Sequence, residues 1–250
     1  MSARTYRAVK ALILVGLAIF FAHLLFSGKL YFYIAPRFAW LSLVAVVLFI
    51  ALAQSYDPVG ARAGPAGHEG ERHHDPDHNR ERSRRSPWPL LILATPLLLG
   101  VIVPAQPLGT DAVAARGLND IAFAADAANT LAVVPGARNV LDWAMAMSRD
   151  PAPDALNGQE ADVIGFVYRD PTFADDQFLV ARFVLVCCVA DANPVGLVVQ
   201  WPGATQLALD SWVQVKGTFA QGEHQGEPTS VLVARSVTPV QPPAQPYLYP

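Results

Sequence analysis

The chain has 250 residues, of which 52% are hydrophobic and only 16% charged, and it carries a formal net charge of −3. A soluble domain has charge on about a quarter of its residues, and mild acidity leaves no electrostatic footprint for nucleic acid. The shortage of charge is not spread evenly. The first part of the chain holds long apolar runs, and the rest reads as a globular sequence with extra Ala and Pro.

Three apolar runs come first: Ala8 to Ser27, Phe38 to Tyr56, and Pro87 to Val103. Each approaches the roughly 17–25 residues that cross a bilayer as a helix. The third contains Pro96, which a membrane helix tolerates when its freed carbonyl finds another partner. The first run is preceded by Arg4, Arg7 and Lys10 but leads into Ser27-Gly28-Lys29 without a small-residue cleavage pattern, so it reads as an uncleaved anchor. His23 is a lone ionisable group in this run, a functional suspect wherever a span carries one; near the run's outer end it can also snorkel.

The cations set the expected orientation. They crowd the N-terminus and the stretch from Arg62 to Arg85, whereas Lys29 and Arg37 are alone between the first two runs, and the dozen residues after Val103 have none. The arrangement that satisfies all four counts puts the N-terminus and residues 57–86 in the cytoplasm and the C-terminal domain outside.

Residues 57–86 are rich in Gly, Pro, His and Arg and too poor in apolar residues to bury a core, so they read as a disordered loop. His68, His73, His74 and His78 fall here with Glu69, Asp75 and Asp77 between them. Imidazole and carboxylate are ligands for zinc and similar divalent ions, so the loop is a candidate for weak metal capture; the alternative is a solvated polar loop. Residues 104–158 read as a connector, with a short amphipathic helix over 139–148.

From residue 159 to 238 the period changes. Segments 161–169, 177–189, 195–201, 212–219 and 230–237 are β-branched and aromatic-rich, with Asp, Pro, Gly and Asn in the gaps. Five short strands in about 80 residues suit a small closed barrel of the OB type, with a sandwich or open sheet as the alternative. Residues 239–250 are Pro-rich and read as extended.

The two cysteines of the chain, Cys187 and Cys188, are adjacent at the end of the second of these segments, with Asp191 three residues on. If the strand continues through them, alternation puts the thiols on opposite faces, and they cannot share one ion. If the strand ends there, Cys187, Cys188 and Asp191 are a candidate ligand or metal site. The alternatives are that they are small buried hydrophobes or a redox-active pair. Arg182, a charge inside an apolar run, calls for a carboxylate partner such as Asp191 or Asp210, or marks an edge. His224 is the one histidine of the β-rich region. No Ser-His-Asp pattern, phosphate loop or glycine fingerprint is present, so the reading is that this is not an enzyme.

The stretch Gly165-Phe166-Val167-Tyr168, the pair Arg182-Phe183, the run Cys187-Cys188-Val189-Ala190-Asp191-Ala192 with Pro194 and Gly196, and Asp210-Ser211-Trp212-Val213-Gln214-Val215-Lys216-Gly217 together resemble a bacterial family of permease accessory subunits, the YcgQ-like proteins. The resemblance implies N-terminal membrane spans in the lipid bilayer of the inner membrane, a C-terminal β-rich domain, and a separate multi-spanning permease as partner. The expectation is therefore a three-span membrane subunit whose outward-facing β-domain assists substrate capture or gating, metal ions being one suspected cargo. A stand-alone metal-binding membrane protein and a cell-envelope interaction protein are the alternatives.

Overall fold

The computed structural model describes residues 3–56, 88–117 and 138–250. The chain divides into two compact units, residues 1–29 with 38–105, and residues 30–37 with 106–250. The expected cytoplasmic loop, with His68, His73, His74 and His78, lies outside the described residues.

The first unit is helical: α1 (Ala3–Phe26), α2 (Trp40–Ser55) and α3 (Trp88–Ile102). Helices α1 and α2 pack as a hairpin, with the Phe21 and Phe49 rings 5.9 Å apart and the Lys10 ammonium donating to the Tyr56 hydroxyl at 3.1 Å. On α3, Gly100 leaves room for the Phe20 ring. Two stretches, Thr5–Phe26 and Pro36–Ser55, are long and apolar enough to cross a bilayer, and only 22% and 11% of them is buried within the protein. A core helix of a soluble domain would be mostly buried, so these apolar faces are left for another apolar phase. The third run departs from expectation. Helix α3 has 15 residues, which at 1.5 Å each span about 22 Å, short of the roughly 30 Å hydrocarbon core.

The second unit opens with two short helices, α4 (Thr110–Arg116) and α5 (Val140–Arg149), then five strands: β1 (Glu160–Tyr168), β2 (Gln177–Val184), β3 (Asn193–Gln200), β4 (Trp212–His224) and β5 (Glu227–Pro239). The five form one sheet in the order β1-β2-β3-β5-β4, antiparallel except for β3 beside β5, and β4 pairs back with β1. The β3–β5 contact that closes this circuit is two residue pairs, Val199 with Leu232 and Gln200 with Val233.

Five segments are where the sequence put them, but several boundaries move. The fourth and fifth strands are longer than read and meet in a two-residue turn at Gln225 and Gly226, both at positive φ. That is the turn type matched to strand twist, and it is easiest for Gly. Opposite Lys216/Gly217 the register shifts, leaving Arg235 as the extra residue of a bulge in β5; a side chain at Gly217 would collide with the Val233 carbonyl. The second strand stops at Val184, not Val189.

The helix expected over 139–148 is α5. Asn139 caps it by accepting from the Leu141 and Asp142 amides, and the Asp142 carboxylate accepts from the Asn139 amide in return. This capping box satisfies donors the helix start leaves open. Val140, Trp143 and Ala144 are buried against Phe178, Val180, Leu197, Val199 and Phe219.

Strand β2 is covered on both faces. Phe178 and Val180 join the core under α5, while Leu179, Ala181 and Phe183 join a second core with Val113 of α4, Phe166, Trp212 and Tyr247. Burial on both sides explains why the sequence there is a continuous apolar run rather than an alternating one.

The tail read as merely extended is docked. Leu185 N donates to Leu248 O, and Leu248 N to Phe183 O, so the tail pairs with the chain leaving β2. Tyr247 is buried, and its hydroxyl accepts from Leu108 N and donates to Phe32 O.

Candidate functional site

The site begins where β2 ends. With Val184 the last residue of the strand, Val186, Cys187 and Cys188 turn away and no longer follow the two-residue period. The Asp191 carboxylate fixes the turn by accepting three backbone N–H bonds, from Val186 at 2.9 Å, Cys187 at 2.7 Å and Cys188 at 3.0 Å. Charge-assisted bonds of this kind are roughly twice as strong as neutral ones. Residues 189–191 follow as one 3-10 turn, in which Cys188 takes the capping position and its carbonyl oxygen accepts from the Asp191 amide at 3.0 Å.

The consequence is that the two thiols are not split. The ligand atoms of Cys187, Cys188 and Asp191 all lie within 4.8 Å of one another. Both cysteines are free; Cys187 is exposed and Cys188 half-buried. Partial desolvation, then the neighbouring Cys188 and Asp191, push the Cys187 thiol above its ordinary range, against a smaller pull from Arg37. A raised thiol is a poor nucleophile at neutral pH, which weighs against thiol catalysis.

Three distant parts of the chain grip this turn. Residues 30–37, the link between α1 and α2, run beside it: Ala35 N donates to Cys187 O and Val189 N to Tyr33 O, both at 2.9 Å, and Ile34 bridges Cys188. The Arg37 guanidinium donates to Val186 O. From α4, Arg116 donates to Ala192 O at 2.7 Å and to Val189 O at 2.9 Å. The tail holds the approach to the turn at Leu185.

Arg182 does not pair with a carboxylate. It is 8% exposed, and its described partners are carbonyls: Pro246 at 2.8 Å, Gln245 at 2.9 Å, Ile164 at 3.3 Å and Tyr247 at 3.5 Å. It also lies over the Trp212 ring at 5.2 Å. Burial pulls its pKa down to about 10, so it remains a cation at neutral pH. Asp191 is spent on the turn, and Asp210 accepts from the Thr110 amide and hydroxyl to cap α4; neither is available to Arg182.

A second feature lies between the β1–β2 loop and the β4–β5 turn. Thr172, Phe173, Gln177, Gln200, Glu223 and Gln225 line a groove of about 850 Å³. Gln225 donates to the Thr172 hydroxyl across it, and the His224 ring stands edge-on to Phe173 at 4.5 Å. Burial pulls the His224 pKa down. The lining has no Lys or Arg, a poor match for anions. His23 is exposed on α1 and belongs to no ligand cluster among the described residues.

Of the residues singled out in the sequence, Cys187, Cys188 and Asp191 come together. Arg37, Arg116 and Tyr247 complete the surroundings, and sequence reading missed all three. The positive-inside count used Arg37 only as a charge, and nothing local distinguished Tyr247 in a Pro-rich tail.

The architecture defines a protein of apolar helices and a C-terminal all-β sheet, in which the link between the first two helices is built into the β unit. The chain belongs to the DUF1980 family: it matches the family's N-terminal domain over residues 9–119 and its C-terminal domain over residues 136–250. It is similar to the UPF0703 protein YcgQ of Bacillus subtilis (strain 168), 25% identical over 96% of this chain and 98% of that one. It is also similar to a Streptococcus mutans serotype c protein named "Putative two-component membrane permease complex subunit", 24% identical over the same shares.

Proposed function

We propose that this chain is the accessory subunit of a two-part membrane permease, with its β unit outside the cytoplasm assisting substrate capture or gating. The observation that carries the reading is the union of residues 30–37 with the β unit. It ties the sheet to the link between two apolar helices, so a change at the sheet acts directly on that link. The name of the Streptococcus relative supports the permease partner. The poverty of catalytic constellations supports an accessory role rather than an enzymatic one.

The same union supports the three-span topology. The loop after α1 belongs with the β unit, so a chain that leaves that side through α2 returns to it at Gln106 only by crossing again. Helix α3 is the apolar segment available. Its shortness is met by local thinning of the bilayer and by flanking side chains at modest cost. The strand order, with its single parallel β3–β5 contact, supports the OB-type barrel, α5 taking the place of the capping helix at one end.

The test is co-purification. An affinity-tagged chain taken from its native membrane in mild detergent is expected to bring a multi-spanning permease in fixed stoichiometry. Deleting that permease is expected to lower the level of the chain several-fold. A chain that purifies alone and keeps its level in the deletion strain sinks the reading.

A further inference from the structure

We propose that the Cys187–Cys188 turn is a two-thiolate site for a soft monovalent cation, Cu(I). The proposal rests on the geometry of the turn alone and does not need the permease reading. Metal–thiolate bonds are about 2.3 Å long, so one ion between two sulfurs holds them up to about 4.6 Å apart, close to the 4.8 Å within which the ligand atoms of this cluster already lie.

The donor set selects the metal. A zinc site takes four ligands. Asp191 already accepts three N–H bonds, so its carboxylate positions the turn and leaves little capacity to ligate. Among the described residues, no histidine joins the cluster. Two sulfurs without a competing hard ligand favour Cu(I), which accepts low coordination numbers and soft donors.

The surroundings suit the charge that forms. Binding converts two thiols and one Cu(I) into a bis-thiolate complex of charge −1, with both protons released to water. The guanidinium groups of Arg37 and Arg116 are hydrogen-bonded to carbonyls of the same turn and oppose that charge. Exposure of Cys187 gives the ion its way in. Because the backbone of both cysteines also binds residues 33–35, occupancy would stiffen the junction between sheet and helix link.

The experiment uses the full chain in detergent, reduced and without oxygen, with Cu(I) offered from a colorimetric bicinchoninate-type competitor. The wild type is expected to withdraw one Cu(I) per chain at the Cys pair. Cys187→Ser and Cys188→Ser are each expected to weaken this at least about 100-fold, and the double variant to abolish it. Replacing His68, His73, His74 and His78 with Gln is expected to leave it intact. Cys187→Ser, at an exposed position that caps nothing, keeps the test valid if Cys188→Ser disturbs the turn; an unchanged thermal unfolding midpoint shows that its fold is kept. Wild type and double variant withdrawing the same copper, or neither withdrawing any, overturns the proposal. The permease is not in the assay, so failure here leaves the accessory-subunit reading standing, and the reverse holds for the co-purification test.

Discussion

At the scale of single residues, Arg182 is a buried cation whose partners among the described residues are carbonyls and an indole ring. A buried charge is ordinarily costly unless it is paired. Arg182 meets that cost through geometry: its planar fork spreads several donors over the carbonyls of residues 164, 245, 246 and 247, and its face rests on Trp212. Those carbonyls belong mostly to the tail, which offers few backbone partners of its own because Pro lacks an amide. Arg182→Leu keeps the apolar stem but leaves the carbonyls without donors, at about 1–3 kcal/mol for each one that stays buried. We expect about 3 kcal/mol of lost stability, a fall in the unfolding midpoint on the order of 10 °C, and faster cleavage of residues 241–246 by a nonspecific protease. Arg182→Lys should recover only part of this, because an ammonium is a point donor without the fork. Circular dichroism melts with timed proteolysis check both. A leucine variant that melts with the wild type and keeps its tail protected would show that the arginine does not hold it.

At the scale of elements, α5 and the end of β2 show what sequence could and could not reach. Helix α5 was legible because every cue is local: an Asn cap, an Asp three residues on, and apolar residues at helical spacing. The end of β2 was not legible. Leu185 to Val189 continues the apolar run, and no Gly or Pro stops it. What stops it is Asp191 reaching back to three amides, together with residues 33–35 and Leu248 arriving from elsewhere in the chain. The same holds for the tail, whose composition reads as an extended linker while Tyr247 and Leu248 dock by long-range contacts. Local signals placed the strands; non-local ones built the thiol site.

Helix α5 also yields a prediction that separates capping from packing. Trp143 is fully buried, with the Phe219 ring 4.8 Å away and the Arg138 guanidinium 4.8 Å over its indole. Trp143→Ala removes the largest buried side chain of this core and should cost about 3–5 kcal/mol. Asn139→Ala removes only the cap, at about 1 kcal/mol. Chemical denaturation of the two variants should give that order with a clear gap. Equal losses would mean that α5 is held by its cap and lies on the sheet without closing its core.

At the scale of the whole molecule, the proposed topology turns on which side of the bilayer the sheet lies, and the parity of crossings ties that side to the one residues 30–37 face. Residues 30–37 and 106–250 form one unit, so a crossing by α1 and another by α2 demand a third before Gln106. The cation count in the sequence is the basis for proposing residues 62–85 inside and the link at 30–37 outside. On the proposed topology, parity puts the β4–β5 turn on the side of residues 30–37, and the cation count makes that side the outer one. Gln225 is exposed at that turn, so Gln225→Cys in a chain carrying Cys187→Ser and Cys188→Ser is expected to react with a membrane-impermeant maleimide on intact spheroplasts. A cysteine placed at Ser83, within the arginine-rich stretch, should react only after the membrane is opened. The pair of sites is needed because each controls the other: labelling at 225 alone fixes the sheet outside and requires α3 to span. Labelling at 83 alone would turn the molecule over, putting the thiol turn in the cytoplasm. Labelling of both in intact cells would mean that α3 does not cross, and then the union of the helix link with the sheet could not survive in the membrane.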